Sequence, residues 1–543
     1  MKRFLLPVLM LISFFGVSQP QYFSSVDSLD KKYFNWFNLS PDEKYQGASV
    51  DKAFNELLKD RTPAKKVIVA VIDGGVDISH PELQGKIWTN SDEIEGNGID
   101  DDNNGYIDDV HGWNFIGGAD GRDVYYENME FVRILKELTP KFGNIVSEKE
   151  VAAGDLNNYD LYLRCKKEYD KEYENYSAQR KNVEKFEQKF KNPKEIIQAY
   201  LKKDKFTLED LKNIKTDNEI IKQSRDYLID WNKKGVTPEF IASYKKQINE
   251  WLDYRLNMDF DPRSTIVKDN PADINDRYYG NNDIKGPSAF HGTFVSGIIA
   301  ANRENGIGIK GINSNAEIMV LRVVPDGDER DKDVALGIRY AVDNGANVIN
   351  MSFGKYFSLR GAFMEDAIRY AEAHNVLVIH SAGNEADNTD LTDNYPSARY
   401  SDGTKSSTMI TVGANTYKKG KTFCGRFSNY GKETVDIFAP GVDIVSISPG
   451  SKYSQGDGTS FSGPVVAGVA ALVWSYNPNL TASQLKDILL NSADVYPKMK
   501  VYIPGKKKEK ALFSDLCVSG GSVNAFKALK EASKIQVTAN RTH

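Results

Sequence analysis

The stretch that decides the fold reads Gly-Thr-Ser-Phe-Ser-Gly-Pro at residues 458–464 and continues as Val-Val-Ala-Gly-Val-Ala-Ala-Leu-Val at residues 465–473. This run of small apolar side chains predicts a central, buried helix, in which Gly463 and Gly468 let neighbouring backbone approach closely. A serine at the start of a helix can simply cap it. At Ser460, however, the first turn also directs free N–H groups and the positive end of the helix dipole at the hydroxyl. This position therefore favours a nucleophile beside which negative charge develops.

Two other stretches supply an acid and an imidazole. The apolar run over residues 67–72 ends at Asp73, which is typical of a buried parallel strand that delivers a carboxylate at its carboxyl end. A lone histidine is more often structural than catalytic, but of the six histidines only His291 opens an apolar helix, over residues 291–301. Together with Ser460, these side chains predict nucleophilic catalysis by a serine.

The blocks around these residues resemble those of the subtilisin-like serine proteases, or subtilases, whose Asp, His and Ser follow one another in the same chain order. The similarity covers about residues 66–120 and 256–535. Four blocks carry it, namely Asp73-Gly74-Gly75, His291-Gly292-Thr293, Ser381-Ala382-Gly383-Asn384 and Gly458-Thr459-Ser460. The resemblance implies an α/β, subtilisin-like fold with a doubly wound, mostly parallel sheet.

The resemblance also implies a role for each reactive side chain. Ser460 is the nucleophile, His291 is the general base, and Asp73 orients the imidazole and stabilises its charged form. Asn384 and the backbone N–H of Ser460 form the oxyanion hole, whose donors act on charge that develops in the transition state. One departure is Gly74, which stands where the family usually has a Ser or Thr that can donate to the catalytic carboxylate.

A substrate pocket is implied in the same way. Its two facing walls are Ser352, Phe353 and Gly354 on one side and Ser381, Ala382 and Gly383 on the other. These residues indicate an open, mostly apolar slot for the residue before the scissile bond. The acidic run over residues 326–329 would favour basic residues further upstream in the substrate.

Residues 100–109 form an acidic loop with the sequence Asp-Asp-Asp-Asn-Asn-Gly-Tyr-Ile-Asp-Asp. Oxygen ligands at positions 1, 3 and 5 and a glycine at position 6 match the first part of a calcium loop, but position 12 is His111, so the loop is not a complete EF-hand. Oxygen donors favour Ca²⁺ over Zn²⁺. We expect a structural calcium ion, with a solvated acidic loop as the alternative. The expected ligands are Asp100, Asp102, Asn104, Tyr106 and Asp108.

Composition narrows the class of protein. The 543 residues are 40% hydrophobic and 27% charged, which suffices for a sizeable core. The formal net charge of −5 argues against general nucleic-acid binding. Three cysteines permit at most one internal disulfide and indicate no disulfide-dependent fold. We expect a monomer whose partner is a protein or peptide substrate.

The N-terminus has the pattern of a signal peptide. Met1-Lys2-Arg3 is followed by an apolar run over residues 4–15 and by small residues up to Ser18. The run is shorter than a membrane anchor requires. The mature chain is therefore expected to be exported, periplasmic or extracellular, with no stable membrane span once the signal is removed.

Strand-like runs alternate with helical patterns, which predicts a mostly parallel sheet with helices on both faces. Strands are predicted over residues 316–323, 348–352, 376–382 and 409–413, and helices over residues 333–344, 362–374 and 482–491. We divide the chain into a signal peptide (1–18), an N-terminal extension (19–65), a catalytic domain (66–120 and 256–535), a charged helical insertion (121–255) and a C-terminal tail (536–543).

The insertion is the unusual part of the chain. Apolar residues recur every seven positions on one predicted helix face, at Tyr162, Tyr169, Tyr176, Val183 and Phe190. Asn192-Pro193 is expected to end this helix, and residues 207–210 read as the capping box of another. The insertion is either a solvated helical appendage or a lid or docking arm that restricts substrates.

These observations lead to one main hypothesis, an exported serine endopeptidase that acts through an acyl-enzyme. The first alternative is a catalytically weak subtilase fold that serves as a binding module. The second is an esterase or peptide ligase that uses the same three side chains.

Overall fold

The computed structural model describes residues 21–23 and 25–539. The predicted signal peptide and the end of the predicted tail lie outside this part of the chain. The chain divides into two compact units, the first comprising residues up to Tyr125 and from Pro262 onward, the second Tyr126–Asp261. Within the described residues, no helix combines the length and the apolar character that crossing a membrane requires.

Fourteen strands are described, all in the first unit. In chain order they are β1 (Gln21–Phe23), β2 (Val67–Asp73), β3 (Gly112–Asn114), β4 (Ala316–Arg322), β5 (Val348–Met351), β6 (Leu377–Ser381), β7 (Met409–Asn415), β8 (Ile437–Pro440), β9 (Ile444–Ser448), β10 (Lys452–Gly456), β11 (Asp494–Val495), β12 (Lys500–Tyr502), β13 (Lys510–Leu512) and β14 (Gly521–Ser522). Nine of them form one sheet in the order β11-β14-β8-β7-β6-β5-β2-β4-β3.

The α-helices are distributed over both units. In chain order they are α1 (Val50–Ala53), α2 (Glu130–Phe142), α3 (Leu156–Leu201), α4 (Leu208–Lys212), α5 (Glu219–Lys233), α6 (Pro238–Glu250), α7 (Phe290–Ala300), α8 (Asp331–Asp343), α9 (Gly361–Ala373), α10 (Thr459–Tyr476), α11 (Ala482–Asn491) and α12 (Ala525–Ala539). The predicted strands and helices of the core agree with these bounds to within about two residues.

The nine-stranded sheet is parallel except at its β11–β14 edge, and helices cover both of its faces. Successive side chains of a strand point to opposite faces. Along β2, Val69 and Val71 therefore join the hydrophobic cluster that contains α7 and α10, while Ala70 and Ile72 join the cluster that contains α8 and α9. The predicted α/β, doubly wound, mostly parallel fold is confirmed.

Helix α10 is the central, buried helix that the sequence of residues 458–473 predicts. All of its residues are buried except Ser460, which is half-buried at the first turn. A Cβ atom at Gly468 would lie 2.8 Å from a side-chain atom of Ile312, so only glycine permits this close packing. Ser460 is thus the one partly exposed side chain of an otherwise fully buried helix.

The N-terminal extension packs into the core of the first unit. Trp36 and Phe37 are fully buried in the cluster that also contains α10. The indole N–H of Trp36 donates to the carbonyl of Asp443 at 3.1 Å. Strand β1 adds to a small antiparallel sheet by pairing with β10. The predicted N-terminal extension therefore contributes Trp36 and Phe37 to the core.

In the second unit, the predicted end of the long helix is wrong. Helix α3 runs for 46 residues and passes through Pro193. A proline inside a helix removes one hydrogen bond and costs about 3 kcal/mol. The seven-residue pattern continues beyond it, however, because Ile197 is fully buried seven positions after the buried Phe190. Burial of this additional position offsets the cost. The predicted capping box at Thr207 is formed and opens α4.

Candidate active site

The carboxylate and the imidazole predicted to act together are in contact. Asp73 ends β2 and is 2% exposed, and His291 is the second residue of α7. His291 Nδ1 lies 2.8 Å from Asp73 Oδ2 and 3.0 Å from Oδ1. The helix can approach the strand end because a Cβ atom at Gly292 would lie 2.3 Å from the carbonyl oxygen of Gly75.

The Asp73 carboxylate receives a second donor. The backbone N–H of Gly74 donates to Asp73 Oδ1 at 2.7 Å. This donor belongs to the backbone, so it does not depend on a Ser or Thr side chain at position 74. The departure from the family pattern at Gly74 therefore leaves the carboxylate with a partner besides the imidazole.

A comparison of His291 with the buried His380 shows what the carboxylate contributes. Burial lowers the pKa of His380 to about 4, although the hydrogen bond from its Nε2–H to the Phe353 carbonyl at 2.8 Å opposes this shift. Burial also disfavours the charged form of His291, but the charge and the hydrogen bond of Asp73 outweigh it and raise the pKa of His291 above its usual value. Asp73 thus stabilises the imidazolium that a general base becomes.

Ser460 lies beside this pair at the first turn of α10. Among the described residues, its hydroxyl donates to the carbonyl of Ser352 at 3.0 Å and not to His291. The next side chain, Phe461, packs against the His291 ring with 6.0 Å between centroids. Catalytic hydrogen bonds are often long or misaligned before substrate binds. Rotation of the Ser460 side chain away from Ser352 is therefore the step that would complete the arrangement.

Asn384 is held with one end of its amide fixed. Its Oδ1 accepts from the backbone N–H of Thr459 at 2.8 Å and from the Thr459 hydroxyl at 3.0 Å. The Nδ2 group is therefore the end left to act as a donor beside Ser460. Thr459 also accepts from the N–H of Gly383 at 3.1 Å, and this anchoring role was missed in the sequence although the hydroxyl lies within a matching block.

A cleft of about 220 Å³ opens at these residues. Of the predicted pocket residues, it is lined by Ser352, Phe353, Gly354, Ser381 and Gly383, together with Asn384 and Ser460. Ala382 is not among the residues that line the cleft. Its side chain is fully buried in the hydrophobic cluster with Phe423 and Phe438, because it alternates in direction with its neighbours at the end of β6.

The cleft also has polar lining residues that the sequence did not place. They are Asp328, Glu329, Tyr356, Glu385 and Asn394. Two of them belong to the acidic run over residues 326–329, which therefore lies at the cleft itself and not at a distance from it.

The acidic loop gathers a different set of oxygens from the one predicted. Glu93, Asp100 and Asp102 each offer a carboxylate oxygen, and these atoms lie within 4.8 Å of one another. The Asp108 carboxylate instead accepts from the N–H groups of residues 96–98. Asn104 Oδ1 accepts from the N–H of Tyr106.

The ring of Tyr106 packs among aromatic side chains, with centroids 5.1 Å from Trp113 and 5.2 Å from Tyr340. Of the five predicted ligands, the cluster of carboxylates thus contains Asp100 and Asp102. The side chains of Tyr106 and Asp108 have other structural partners, and Glu93, which lies before the recognised pattern, joins Asp100 and Asp102.

Comparisons with known proteins agree with this geometry. A family model described as the subtilase family matches residues 64–520. A cell wall-associated protease from Bacillus subtilis (strain 168) is 35% identical over 225 residues, which are 41% of this chain and 23% of that protein. Subtilisin BL from Lederbergia lenta is 36% identical over 216 residues, 40% of this chain and 74% of that protein.

Solved structures match over similar lengths. One solved structure, from work on subtilase cytotoxin SubAB assembly, is 27% identical to the present chain and has a TM-score of 0.40. The match covers 48% of the present chain and 83% of the chain in that structure. The match to the cell wall-associated protease spans less than a quarter of that protein's length. The family model, in contrast, covers most of the present chain. The chain belongs to the subtilase family of serine proteases.

Proposed function

We propose that this chain is a serine endopeptidase. Ser460 Oγ attacks the peptide carbonyl while His291 accepts its proton, and Asp73 stabilises the resulting imidazolium. His291 then protonates the leaving amine, and water hydrolyses the acyl-enzyme. The negative oxygen that forms during each attack would accept hydrogen bonds from Asn384 Nδ2 and the Ser460 N–H. The observation that carries this proposal is the Asp73–His291 contact of 2.8 Å beside a serine at the mouth of a cleft.

Labelling with a fluorophosphonate tests the nucleophile. The mature protein should be labelled at Ser460 and should cleave casein, and Ser460→Ala should do neither while its melting midpoint stays unchanged. A folded wild-type protein that is neither labelled nor active would favour the binding module. Cleavage of esters without cleavage of peptides would favour the esterase.

We also propose that the chain is exported by an N-terminal signal peptide over residues 1–18. The basic start, the short apolar run and the small residues before the expected cleavage point support this. Mass spectrometry of the mature protein should find an N-terminus near residue 19. An intact N-terminus on protein recovered from outside the cytoplasm would contradict the proposal.

We propose, further, that the acidic loop holds a structural calcium ion. Three carboxylates whose oxygens approach within 4.8 Å fit a hard cation, which would relieve their mutual repulsion. Removal of the ion by a chelator should lower the melting midpoint by roughly 5 °C or more. Glu93→Gln or Asp102→Asn should abolish this response.

Asp108→Asn is the matched control for the calcium experiment, because the Asp108 carboxylate accepts from neighbouring backbone N–H groups and is not one of the three clustered carboxylates. It should lower the starting midpoint yet keep the chelator-induced shift. A midpoint that does not change on chelation in the wild-type protein would leave only a solvated acidic loop.

We propose, finally, that the second unit is not required for bond cleavage. Asp73, His291, Asn384 and Ser460 all belong to the first unit. Replacement of residues 126–261 by a short Gly-Ser linker should leave kcat/KM for a short peptide within about threefold. Peptide mapping of a cleaved unfolded protein separates the two roles of the insertion. If the deletion variant cleaves the unfolded protein at more positions, the insertion is a lid that restricts substrates. If the cleavage positions do not change, the insertion is a helical appendage.

A further inference from the structure

The turn that carries Asn384 is held by a buried side chain from another loop. Asn429 is 1% exposed and lies between β7 and β8. Its Oδ1 accepts from the backbone N–H groups of Glu385 at 3.1 Å and Asp387 at 2.8 Å. Its Nδ2 donates to the carbonyl of Ala382 at 2.9 Å. The side-chain amide of Asn429 therefore binds the turn on both sides of Asn384.

Two more contacts bring this network to Asn384 itself. Asn429 Nδ2 donates to Glu385 Oε2 at 2.9 Å, and the same oxygen accepts from the backbone N–H of Asn384 at 2.8 Å. The Tyr356 hydroxyl also donates to this oxygen at 2.7 Å. The backbone N–H of Asn429 donates to the carbonyl of Gly383 at 2.9 Å. Four consecutive residues of the turn are thus tied directly or through Glu385 to Asn429.

The turn needs such support because its own backbone is strained. Gly383 has a φ of 103° and Ala386 a φ of 61°, and the second is unfavourable for a residue with a side chain. A Cβ atom at Gly383 would lie 2.3 Å from Asn429 Nδ2, so the glycine is also what lets Asn429 approach. A strained turn persists only where its surroundings determine it, and here Asn429 supplies most of that determination.

We propose that Asn429 is a positioning residue for the oxyanion donor Asn384. Thr459 fixes the Asn384 side chain, while Asn429 and Glu385 fix the backbone from which it extends. Both attachments are needed to keep Nδ2 where the transition-state oxygen forms. This inference rests on the proposed peptidase activity and on the donor role of Asn384.

The test is a double-mutant cycle between Asn429→Asp and Asn384→Ala. The Asp variant is nearly isosteric and keeps an acceptor for the Glu385 and Asp387 N–H groups. It removes the donors to Ala382 and Glu385 and places two carboxylates side by side. A displaced donor acts mainly on the transition state, so we expect kcat for a peptide substrate to fall about tenfold while KM changes less than about twofold.

In the Asn384→Ala background, the same substitution should lower kcat by less than about twofold, because no Asn384 donor remains to be displaced. Asn313→Asp is the matched control. Asn313 is equally buried, at 1% exposure, and its amide bonds to Ser475 and Asn315 away from the cleft. It should lower the melting midpoint without changing kcat more than about twofold.

If Asn429→Asp does not fold, Tyr356→Phe tests the same network. It removes only the hydroxyl that donates to Glu385 Oε2, and should lower kcat about twofold to threefold, again only when Asn384 is present. Equal losses of kcat in both backgrounds, or no loss, would overturn the positioning role while leaving the peptidase intact. An inactive wild-type protein would overturn both proposals, and an Asn384→Ala variant with full activity would overturn the donor role on which this one rests.

Discussion

The two units each contain one long helix, and the two helices are stable for different reasons. Helix α10 has 18 residues, and all but Ser460 are buried. Helix α3 has 46 residues, of which seven are buried. The first is fixed by the elements packed around it on every side. The second is fixed along one stripe, with ion pairs such as Lys166–Asp170 on its exposed faces.

This difference decides where a single side chain can matter to chemistry. Around α10, a polar group such as Ser460 is held by neighbours that cannot move without disturbing the core. Along α3, a polar group is mostly surrounded by solvent, and exposed ion pairs contribute little to stability. Substitutions of polar groups at the cleft of the first unit should therefore change activity by large factors, whereas substitutions of exposed polar groups in the second unit should change only local stability.

The largest contrast is expected between two carboxylates, Asp73 and Asp210. Asp73→Asn removes the charge that orients and stabilises His291 and should lower kcat about 10⁴-fold with the fold intact. Asp210 closes the capping box of α4 by accepting from Thr207. Asp210→Asn should leave kcat unchanged. Peptide hydrolysis measures kcat of both variants, and circular dichroism checks that both are folded. A comparable loss of kcat in Asp210→Asn would contradict the expected difference between the two carboxylates.

The second largest effect is expected at Asn384. Asn384→Ala removes one donor from the developing oxyanion and should lower kcat roughly 100- to 1000-fold with little change in KM. Asn313→Ala is the control, since Asn313 is a buried asparagine whose amide donates to the Ser475 hydroxyl and which does not line the cleft, and its kcat should stay within about twofold of wild type. Stopped assays at saturating peptide measure the effect. A rise in KM at constant kcat would assign Asn384 to substrate binding.

A smaller effect is expected from pH. The general base must be neutral, so kcat/KM should fall on acidification through the pKa of His291, which Asp73 raises above its usual value near 6.5. The residual activity of Asp73→Asn should fall at a lower pH, because the carboxylate that raises this pKa is gone. An unchanged midpoint in Asp73→Asn would contradict the assignment of the base.

Stability should depend on pH with the opposite sign. Because the pKa of His291 is higher in the folded protein than in the unfolded chain, its contribution to stability is complete below about pH 6.5 and is lost as pH rises through the folded value. The activity of the site and the stabilisation from this ion pair are therefore greatest at opposite ends of the same pH range.

The sequence could indicate Asp73, His291 and Ser460 as candidate site residues because each lies at the end of an apolar element. Asp73 ends a buried strand, and His291 and Ser460 open buried helices. The sequence could not reveal Asn429, since it lies 44 positions from Glu385 and no local pattern marks it. The sequence also could not show that the Ala382 side chain is buried, because a matching block does not say which of its side chains point inward.

The same reasoning explains the error at Pro193. Local hydrogen bonding alone predicts that a helix ends at a proline. That prediction leaves out the apolar side chains further along the chain that a continuous helix can bury. In α3 the buried Phe190 and Ile197 lie on either side of Pro193 on one face, so ending the helix would expose the second of them. The cost at one residue was visible in the sequence, whereas the burial that offsets it depended on α5 and α6.

The smallest effect on activity is expected at Pro193 itself. Pro193→Ala restores an N–H donor and favourable helix propensity, and should stabilise the second unit by about 1–3 kcal/mol. Peptide hydrolysis should not change, because the three side chains proposed to act in catalysis lie in the first unit. Hydrogen exchange along α3 would report the added protection, and Lys194→Ala on the same helix serves as a control that restores no donor. A gain or loss of kcat in Pro193→Ala would mean that the stability of α3 affects catalysis. It would contradict the expectation that substitutions in the second unit change only local stability.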